Sequence, residues 1–347
     1  MKRRDFSKQL VIAGGSVALS KYIPDSTESI INTNILPEAL KPGDTVGIIA
    51  PASSFPPERI PKTEANMTAL GLKVKWSKNL HAQNGYLAGK DKQRLKDIHK
   101  MFKDPEVKAI WCIRGGYGCL RLLPDLDYEL IKENPKVLIG YSDVTALLNA
   151  IHQQTGLVCF HGPVGSSTFS DYTLSNVRRM LFEPLDQQTI SLSSEQHKEV
   201  EPGFETYSIR NGKATGRLVG GNLSLLAAMT GTQHQIEVKN RLLFIEDVGE
   251  KPYRIDRMLT QLRQALPLEE AAGILLGVFA DCQPGEKDRS LSLREALKDR
   301  LLDLKIPVAY GFSFGHITDQ CTFPIGIEAR MDTKRQLVEI LEPVVKV

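Results

Sequence analysis

Ser142 stands between a short apolar run, residues 137–139 (VLI), and a segment with helical spacing, residues 143–153. A turn from a strand into a helix exposes its first side chain above the sheet and places free backbone N–H groups beside it. A serine there has the surroundings of a nucleophile, with the N–H of Asp143 available to an oxyanion. Serine is also a preferred helix N-cap, and the second glycine of G-x-S-x-G is missing. The local sequence alone favours the cap.

A glycine-rich loop, residues 114–118 (RGGYG), follows a predicted strand. Adjacent glycines let backbone N–H groups approach a ligand closely and donate to an anion or oxyanion. The loop has neither G-x-G-x-x-G spacing nor the Lys-Ser/Thr pair of a phosphate-binding loop, which leaves nucleotide binding with little support. A plain tight turn explains these residues equally well.

An acidic pair and two histidines are candidates to activate the serine. Glu246 and Asp247 follow an apolar run, and an acid at a strand end is placed to orient a histidine, although a solvated helix cap is an alternative. His316 follows a glycine-rich segment, and His161 is the rival base. Ser142, Glu246 and His316 occur at successive strand ends, which fits a nucleophile, an orienting acid and a base. No H-E-x-x-H or other clear metal-binding spacing occurs.

The elements that must position these residues alternate between strand and helix, which predicts an α/β fold with a parallel sheet and helices on both faces. Ligands of such sheets bind at the carboxyl ends of the strands. In the first half we predict strands at 45–51, 72–76, 107–113, 137–141 and 157–160, and helices at 58–70, 90–102 and 143–153. In the second half we predict helices at 222–229, 253–265 and 293–304, strands at 242–245, 273–280 and 307–310, and a closing hairpin over 325–341.

The chain of 347 residues is long enough for two domains. We predict an N-terminal domain over residues 36–184 and a C-terminal domain over 216–347. Residues 185–215 are polar, with scattered Gly, Pro and Ser, and are interpreted as a linker or as a set of short exposed strands.

Residues 1–35 are interpreted as a leader followed by a disordered segment. Arg3-Arg4-Asp5-Phe6-Ser7-Lys8 precedes a short apolar run and fits the twin-arginine export pattern of bacteria. The expected partner is therefore the twin-arginine export machinery and the expected location is the periplasm, with the cytoplasm as the alternative. The sequence shows no clear cleavage site.

The charge balance argues against general nucleic-acid binding. The chain has 44 Lys+Arg and 41 Asp+Glu, a formal net charge of +3. Residues 1–21 carry five basic side chains and one acidic one, so the rest of the chain has a net charge of −1. A neutral body lacks the positive surface that neutralises phosphates.

The cysteines are interpreted as buried free thiols. They are odd in number, none forms C-x-x-C, and most lie in apolar surroundings, which disfavours a disulfide framework or a zinc site. They are Cys112, Cys119, Cys159, Cys282 and Cys321.

Five motifs taken together resemble the serine L,D-carboxypeptidase family, which includes murein tetrapeptide carboxypeptidases and microcin C self-immunity hydrolases. The resemblance runs in order from about residue 40 to about residue 326. The motifs are Arg114-Gly-Gly-Tyr-Gly, Gly140-Tyr-Ser-Asp-x-Thr145, Gly220-Gly-Asn222-Leu, Glu246-Asp-Val-Gly-Glu with Tyr253-Arg-Ile-Asp-Arg257, and Gly315-His316.

The resemblance implies a role for each site residue. Ser142 would be the nucleophile, His316 the general base and Glu246 the acid that orients the histidine. The backbone N–H groups of Asp143 and of the turn formed by Gly115 and Gly116 would hold the oxyanion. No metal or cofactor is implied.

The resemblance also implies a flavodoxin-like N-terminal domain, a C-terminal α/β domain of the swivelling type, an active site between them and a homodimer. The implied substrate is the murein tetrapeptide L-Ala-γ-D-Glu-meso-diaminopimelate-D-Ala, cut between the L-centre of the diamino acid (or Lys) and D-Ala. An arginine would suit its terminal carboxylate. Arg114 and Arg254 are both candidates, and for Arg254 an ion pair is the simpler explanation.

Family members of the murein type typically work in the cytoplasm on recycled fragments, so the predicted leader is a departure that questions the recycling role. Two alternatives stay open. One is an immunity-type hydrolase that cleaves a peptide- or aminoacyl-nucleotide antibiotic with the same three residues. The other is a non-catalytic periplasmic peptide-binding protein, since two α/β domains around a cleft also describe that class.

Overall fold

The computed structural model describes residues 34–193 and 203–347. Most of the predicted leader, residues 1–33, lies outside them. In chain order the strands are β1 (Thr45–Ile49), β2 (Lys73–Trp76), β3 (Val107–Cys112), β4 (Val137–Gly140), β5 (Phe160–His161), β6 (Gln188–Ser191), β7 (Tyr207–Arg210), β8 (Lys213–Asn222), β9 (Arg241–Val248), β10 (Gly273–Ala280), β11 (Val308–Gly315), β12 (Phe323–Pro324), β13 (Glu328–Asp332) and β14 (Leu337–Ile340). The helices are α1 (Arg59–Ala69), α2 (Asp91–Lys103), α3 (Tyr128–Glu133), α4 (Thr145–Thr155), α5 (Asp171–Phe182), α6 (Leu223–Met229), α7 (Pro252–Ala265) and α8 (Leu293–Leu301).

The first sheet has the strand order β12-β5-β4-β3-β1-β2. Strands β1 to β5 are all parallel to one another, and their order 2-1-3-4-5 is that of flavodoxin-like folds. The buried apolar runs of β1, β3 and β4 are typical of strands that are covered on both faces. The predicted flavodoxin-like sheet is confirmed.

The second sheet has the order β6-β14-β13-β8-β9-β10-β11-β7. Its central strands β8 to β11 are parallel, while β7, β13, β14 and β6 are antiparallel to their neighbours. Two of the outer strands, β6 and β7, and the start of β8 come from the polar segment 185–215. The two-sheet α/β architecture expected from the sequence is confirmed.

Helix α4 and strand β8 hold the two sheets together. The side-chain Nδ2 of Asn149 donates to the carbonyl of Gly220 (2.9 Å), and the N–H of Asn222 donates to Thr145 Oγ1 (3.0 Å). A Cβ on Gly221 would lie 2.5 Å from Thr145 Oγ1, so only glycine permits this approach. The helix that follows Ser142 is thereby fixed to the second sheet.

Strand β12 adds a second connection, because it comes from the C-terminal part of the chain and pairs antiparallel with β5 of the first sheet. The aromatic rings of Phe244 and Phe323 lie 5.3 Å apart, centroid to centroid, so the sheets share a core. Among the helices of residues 34–193 and 203–347, none has the length and hydrophobicity that a membrane span requires.

Candidate active site

Ser142 lies at the tip of a strained turn between β4 and α4. Its φ is +64°, in the left-handed region, where a residue other than glycine costs about 1–3 kcal/mol. Tyr141 before it is extended, and Ser142–Val144 form one 3-10 turn that leads into α4. The Ser142 hydroxyl caps neither helical segment, so the N-cap interpretation is wrong. Such a turn is typical of a serine presented above a sheet for nucleophilic attack.

The glycine loop after β3 lies directly beside this serine. A Cβ on Gly115 would lie 2.8 Å from the Cβ and 3.1 Å from the Oγ of Ser142. Asp143, which is buried, ties the loop to the serine turn because its Oδ2 accepts the N–H of Cys119 at 2.8 Å. The N–H of Tyr117 donates a hydrogen bond to Ser53 Oγ at 3.0 Å. The N–H groups of Gly115 and Gly116 are therefore the loop's candidate oxyanion donors.

Replacing Gly115 by alanine is expected to lower kcat/KM by about 10²-fold, since the added methyl group must displace the serine and small misplacements at a reacting centre have effects of this size. The φ of Gly115 is not in the left-handed region, so the backbone itself accepts alanine. Gly285→Ala is the control, because the φ of Gly285 is also outside the left-handed region and a Cβ there meets only the exposed carboxylate of Asp288, at 3.1 Å. Equal activity of the two variants in a peptide-release assay would contradict the close contact.

Glu246 and His316 form a hydrogen-bonded pair at the ends of β9 and β11. The distance from His316 Nδ1 to Glu246 Oε2 is 2.7 Å. Glu246 is fully buried, and the side chain of His316 keeps 18% of its surface exposed. With Nδ1 donating its hydrogen to the carboxylate, Nε2 is left as a proton acceptor. The pair therefore has the arrangement of a general base and its orienting acid.

The electrostatics of the pair favour a charged couple. Burial of the His316 ring lowers its pKa, but Glu246 and then Asp247 raise it, and the balance places the pKa of His316 above its ordinary value. Burial likewise opposes ionisation of Glu246, but the charge and hydrogen bond of His316 hold the pKa of Glu246 below its usual range. The imidazolium that forms during proton transfer is thus stabilised in place.

Tyr141 brings the histidine to the serine turn. Its ring, one residue before Ser142, meets the ring of His316 edge-on with centroids 4.7 Å apart. The left-handed Gly315 lets the chain turn beside Glu246, because a Cβ there would lie 3.2 Å from the Glu246 Cβ and 2.7 Å from the Val278 carbonyl. The turn that carries Ser142 and the His316–Glu246 pair thus meet where the two sheets adjoin.

Asp247 has a different role from its neighbour. Its Oδ1 accepts from Asn222 Nδ2 (3.1 Å) and its Oδ2 accepts from the N–H and hydroxyl of Ser224 (2.9 and 2.8 Å). Burial and then Glu246 raise the pKa of Asp247 to about 6. Asp247 therefore joins β9 to the start of α6, whereas Glu246 reaches the histidine.

His161, the rival base, is buried. It is 1% exposed, and its ring packs against Phe244 at 5.3 Å and Phe314 at 6.2 Å. Burial lowers the pKa of His161 to about 4. It is a neutral residue of the shared core.

The structure also separates the two arginine candidates. Arg254 lies on the surface and pairs with Glu250 at 3.3 Å, as the simpler explanation expected. Arg114 is the first residue of the glycine loop, and its Nη1 donates to the carbonyl of Ser54 at 2.9 Å. Arg114 is therefore the one of the two that the fold brings to Ser142.

Thr145 and Asn222 are site residues whose function the sequence analysis missed. Both stand in motifs that carried the family resemblance, and that is the only sequence signal for them. Their contact joins residues 77 positions apart, which spacing cannot reveal. The five cysteines are free and buried, as expected. In the part of the chain that the structure describes, no three His, Cys, Asp or Glu side chains are grouped to hold a metal ion.

Comparison with known proteins agrees with this geometry. Residues 46–162 match the model of the LD-carboxypeptidase N-terminal domain, and residues 215–331 match that of its C-terminal domain. The chain is 43% identical over 313 residues to the probable murein peptide carboxypeptidase of Bacillus subtilis, covering 90% of this chain and 96% of the relative. It is 30% identical over 335 residues to the microcin C7 self-immunity protein MccF of Escherichia coli, covering 89% and 96%.

A solved structure shows the same fold. The muramoyltetrapeptide carboxypeptidase of Oxalobacter formigenes superimposes with a TM-score of 0.73 at 28% identity, covering 85% of this chain and 97% of that one. The arrangement of the site, both domain matches and the extent of these similarities agree. The chain belongs to the peptidase S66 family of LD-carboxypeptidases and is a carboxypeptidase.

Proposed function

We propose that this enzyme is a serine L,D-carboxypeptidase that removes the terminal D-Ala from murein tetrapeptides. The observation that carries the proposal is the His316–Glu246 hydrogen bond of 2.7 Å, with the His316 ring against Tyr141, the residue before the strained Ser142. The names of the relatives in Bacillus subtilis and Oxalobacter formigenes support murein peptides as the substrate class.

In the proposed reaction, Ser142 Oγ attacks the carbonyl carbon of the diamino acid while its proton passes to His316 Nε2. The oxyanion is held by backbone N–H groups of Asp143 and of the glycine loop. The tetrahedral intermediate then collapses, the C–N bond breaks, and His316 returns the proton to the leaving amine of D-Ala. Water, activated by His316, hydrolyses the acyl-serine and frees the tripeptide.

Mass spectrometry of purified murein tetrapeptide incubated with the enzyme tests the proposal. We expect the tetrapeptide to be converted into tripeptide and free D-Ala, with the rate unchanged by a chelator since none of the proposed steps uses a metal. No D-Ala release, or a loss of rate with chelator that zinc restores, would contradict the serine mechanism.

The similarity to MccF supports a second candidate, hydrolysis of an aminoacyl- or peptidyl-nucleotide antibiotic by the same residues. The two are separated by comparing D-Ala release with hydrolysis of an aminoacyl sulfamoyl adenylate. Turnover of the nucleotide alone would favour this second function. The non-catalytic peptide-binding alternative is wrong, because the chain is a member of a peptidase family.

Export and assembly are further parts of the proposal. The twin-arginine pattern in residues 3–8 supports transport to the periplasm, where the enzyme would trim tetrapeptides on the wall itself rather than recycled fragments. Fractionation of cells that express the full chain and an Arg3→Lys/Arg4→Lys variant tests this, with retention of the variant in the cytoplasm expected. A homodimer is proposed from the family resemblance, and its mass in solution tests it.

A further inference from the structure

Two arginine side chains, Arg59 and Arg114, lie close to one another and pair with no carboxylate of residues 34–193 and 203–347. Arg114 donates from Nη1 to the Ser54 carbonyl, and its Nε is buried without a hydrogen-bond partner. Arg59, the first residue of α1, donates from Nη1 to Ser166 Oγ at 2.6 Å. Every ion pair formed by an arginine within residues 34–193 and 203–347 involves an arginine other than Arg59 and Arg114.

Ser166 holds Arg59 next to Arg114. The hydroxyl of Ser166 donates to the carbonyl of Ile113 at 2.7 Å, and its N–H donates to the same oxygen at 3.2 Å. Ile113 is the residue before Arg114. Burial, and after it the charge of Arg59, lowers the pKa of Arg114. Two cations kept close together repel one another, so an anion that binds between them would be stabilised.

The position of this cationic pair relative to the serine suits one part of the substrate. Arg114 directly precedes Gly115, the residue that lies against Ser142. In a peptide cut before its last residue, the terminal carboxylate lies only one residue beyond the scissile bond. That carboxylate must therefore lie close to the serine and its oxyanion donors. Guanidinium groups suit it because their planar forks match both carboxylate oxygens.

We propose that Arg59 and Arg114 together form the subsite for the terminal carboxylate of the peptide, and that Arg59 makes the enzyme depend on a free C-terminus. The inference rests on the proposed function and adds a specificity-determining residue to it. It accounts for exopeptidase action, because a longer or amidated peptide presents no anion at this place.

The test compares Arg59→Met and Arg59→Lys with the wild-type enzyme on three synthetic tetrapeptides. One has free carboxylates, one carries an amide at the terminal D-Ala, and one carries an amide at the side-chain carboxylate of diaminopimelate. We expect Arg59→Met to lower kcat/KM on the free peptide by roughly 10- to 100-fold, mostly through KM, as expected for loss of a charge-assisted contact. Arg59→Lys should recover part of this loss because it restores the charge without the fork.

The peptide with an amide at its terminal D-Ala tests the contact between Arg59 and the terminal carboxylate, because that carboxylate is missing. The wild-type enzyme should process the terminal amide poorly, and Arg59→Met should not lower that rate further. Arg254→Met, a surface arginine paired with Glu250, is the matched control and should change each rate less than about 2-fold.

Three results would overturn the inference. These are an equal loss of rate on the free and terminally amidated peptides, a loss that depends on the diaminopimelate amide instead, and no loss at all. The circular dichroism and melting temperature of Arg59→Met show whether the variant is folded. If it is not, Arg59→Lys carries the comparison, with a smaller loss confined to the peptides that have a free terminus. Failure of the wild-type enzyme to release D-Ala would instead contradict the proposed function.

Discussion

Replacing Ser142 by alanine is expected to reduce the rate of D-Ala release by roughly 10⁴-fold or more, as in other enzymes whose nucleophile is removed. His316→Ala should have a similar effect, because the hydroxyl is a weak nucleophile until a base accepts its proton. The double variant should be little slower than either single one, since the two groups act as one unit. Initial rates measured by chromatography of released D-Ala check all three.

The Ser142→Ala variant should remain folded. Alanine takes the same left-handed backbone with the same strain, and the serine hydroxyl makes no capping hydrogen bond that would be lost. Its free energy of unfolding should therefore stay within about 0.5 kcal/mol of the wild-type value. Retention of a tenth of the wild-type rate by Ser142→Ala, or losses that multiply in the double variant, would contradict the proposed roles.

Replacing Glu246 by glutamine is expected to lower kcat by roughly 10³- to 10⁴-fold and to change the pH profile. His316 works as a base only when neutral, so the rate rises with pH through its pKa. Glu246 raises that pKa, so removing the carboxylate charge lowers it. The acid limb of kcat/KM should therefore move to lower pH in Glu246→Gln, although the plateau is much lower.

Asp247→Asn is the matched control for this prediction. Asp247 also raises the pKa of His316, but it hydrogen-bonds to Asn222 and Ser224 rather than to the imidazole. Removing the charge of Asp247 should move the acid limb of kcat/KM to lower pH as well, by a smaller amount. A limb that stays in place or moves to higher pH in Glu246→Gln would show that this carboxylate does not act on the base.

The elements that local patterning predicts well are those whose apolar spacing is regular. Strand β3, with buried residues throughout most of its length, and helix α7, with one apolar face, begin and end within one residue of the positions expected from the sequence. Helix α5 was missed although its signal is present, since Ser170 caps its start and Val177 and Leu181 lie on its buried face. Regular apolar spacing and a helix cap are thus sufficient to predict these elements, and the omission of α5 does not reflect a missing pattern.

The elements that were misjudged depend on glycine or on distant pairing. Strand β11 was expected to end at Tyr310 but continues to Gly315, past the left-handed Gly311 and an irregularity in its register with β10. Strand β8 is missing from the prediction, although the helix expected after it is present as α6. Gly220 and Gly221 lie near the end of β8, where their missing side chains allow close approach to Phe244 and Thr145. Such packing is decided by residues far away in the chain.

The candidate site could be predicted only by combining its motifs. The local sequence favours a helix cap at Ser142, because the sequence of a turn does not reveal that a serine adopts a positive φ. The pairing of His316 with Glu246 joins positions 70 residues apart, and only the order of the motifs suggested it. Arg59 carried no sequence signal at all, since its proximity to Arg114 depends on Ser166, 107 residues away.

The most direct test of the central claim is covalent labelling of the enzyme by a fluorophosphonate, with the modified residue located by peptide mass spectrometry. The probe reacts with a serine only where a base and an oxyanion site activate it. We predict stoichiometric labelling of Ser142 in the wild-type enzyme and its near-complete loss in His316→Ala. Labelling of another residue, or of Ser142 at the same rate without His316, would contradict the account.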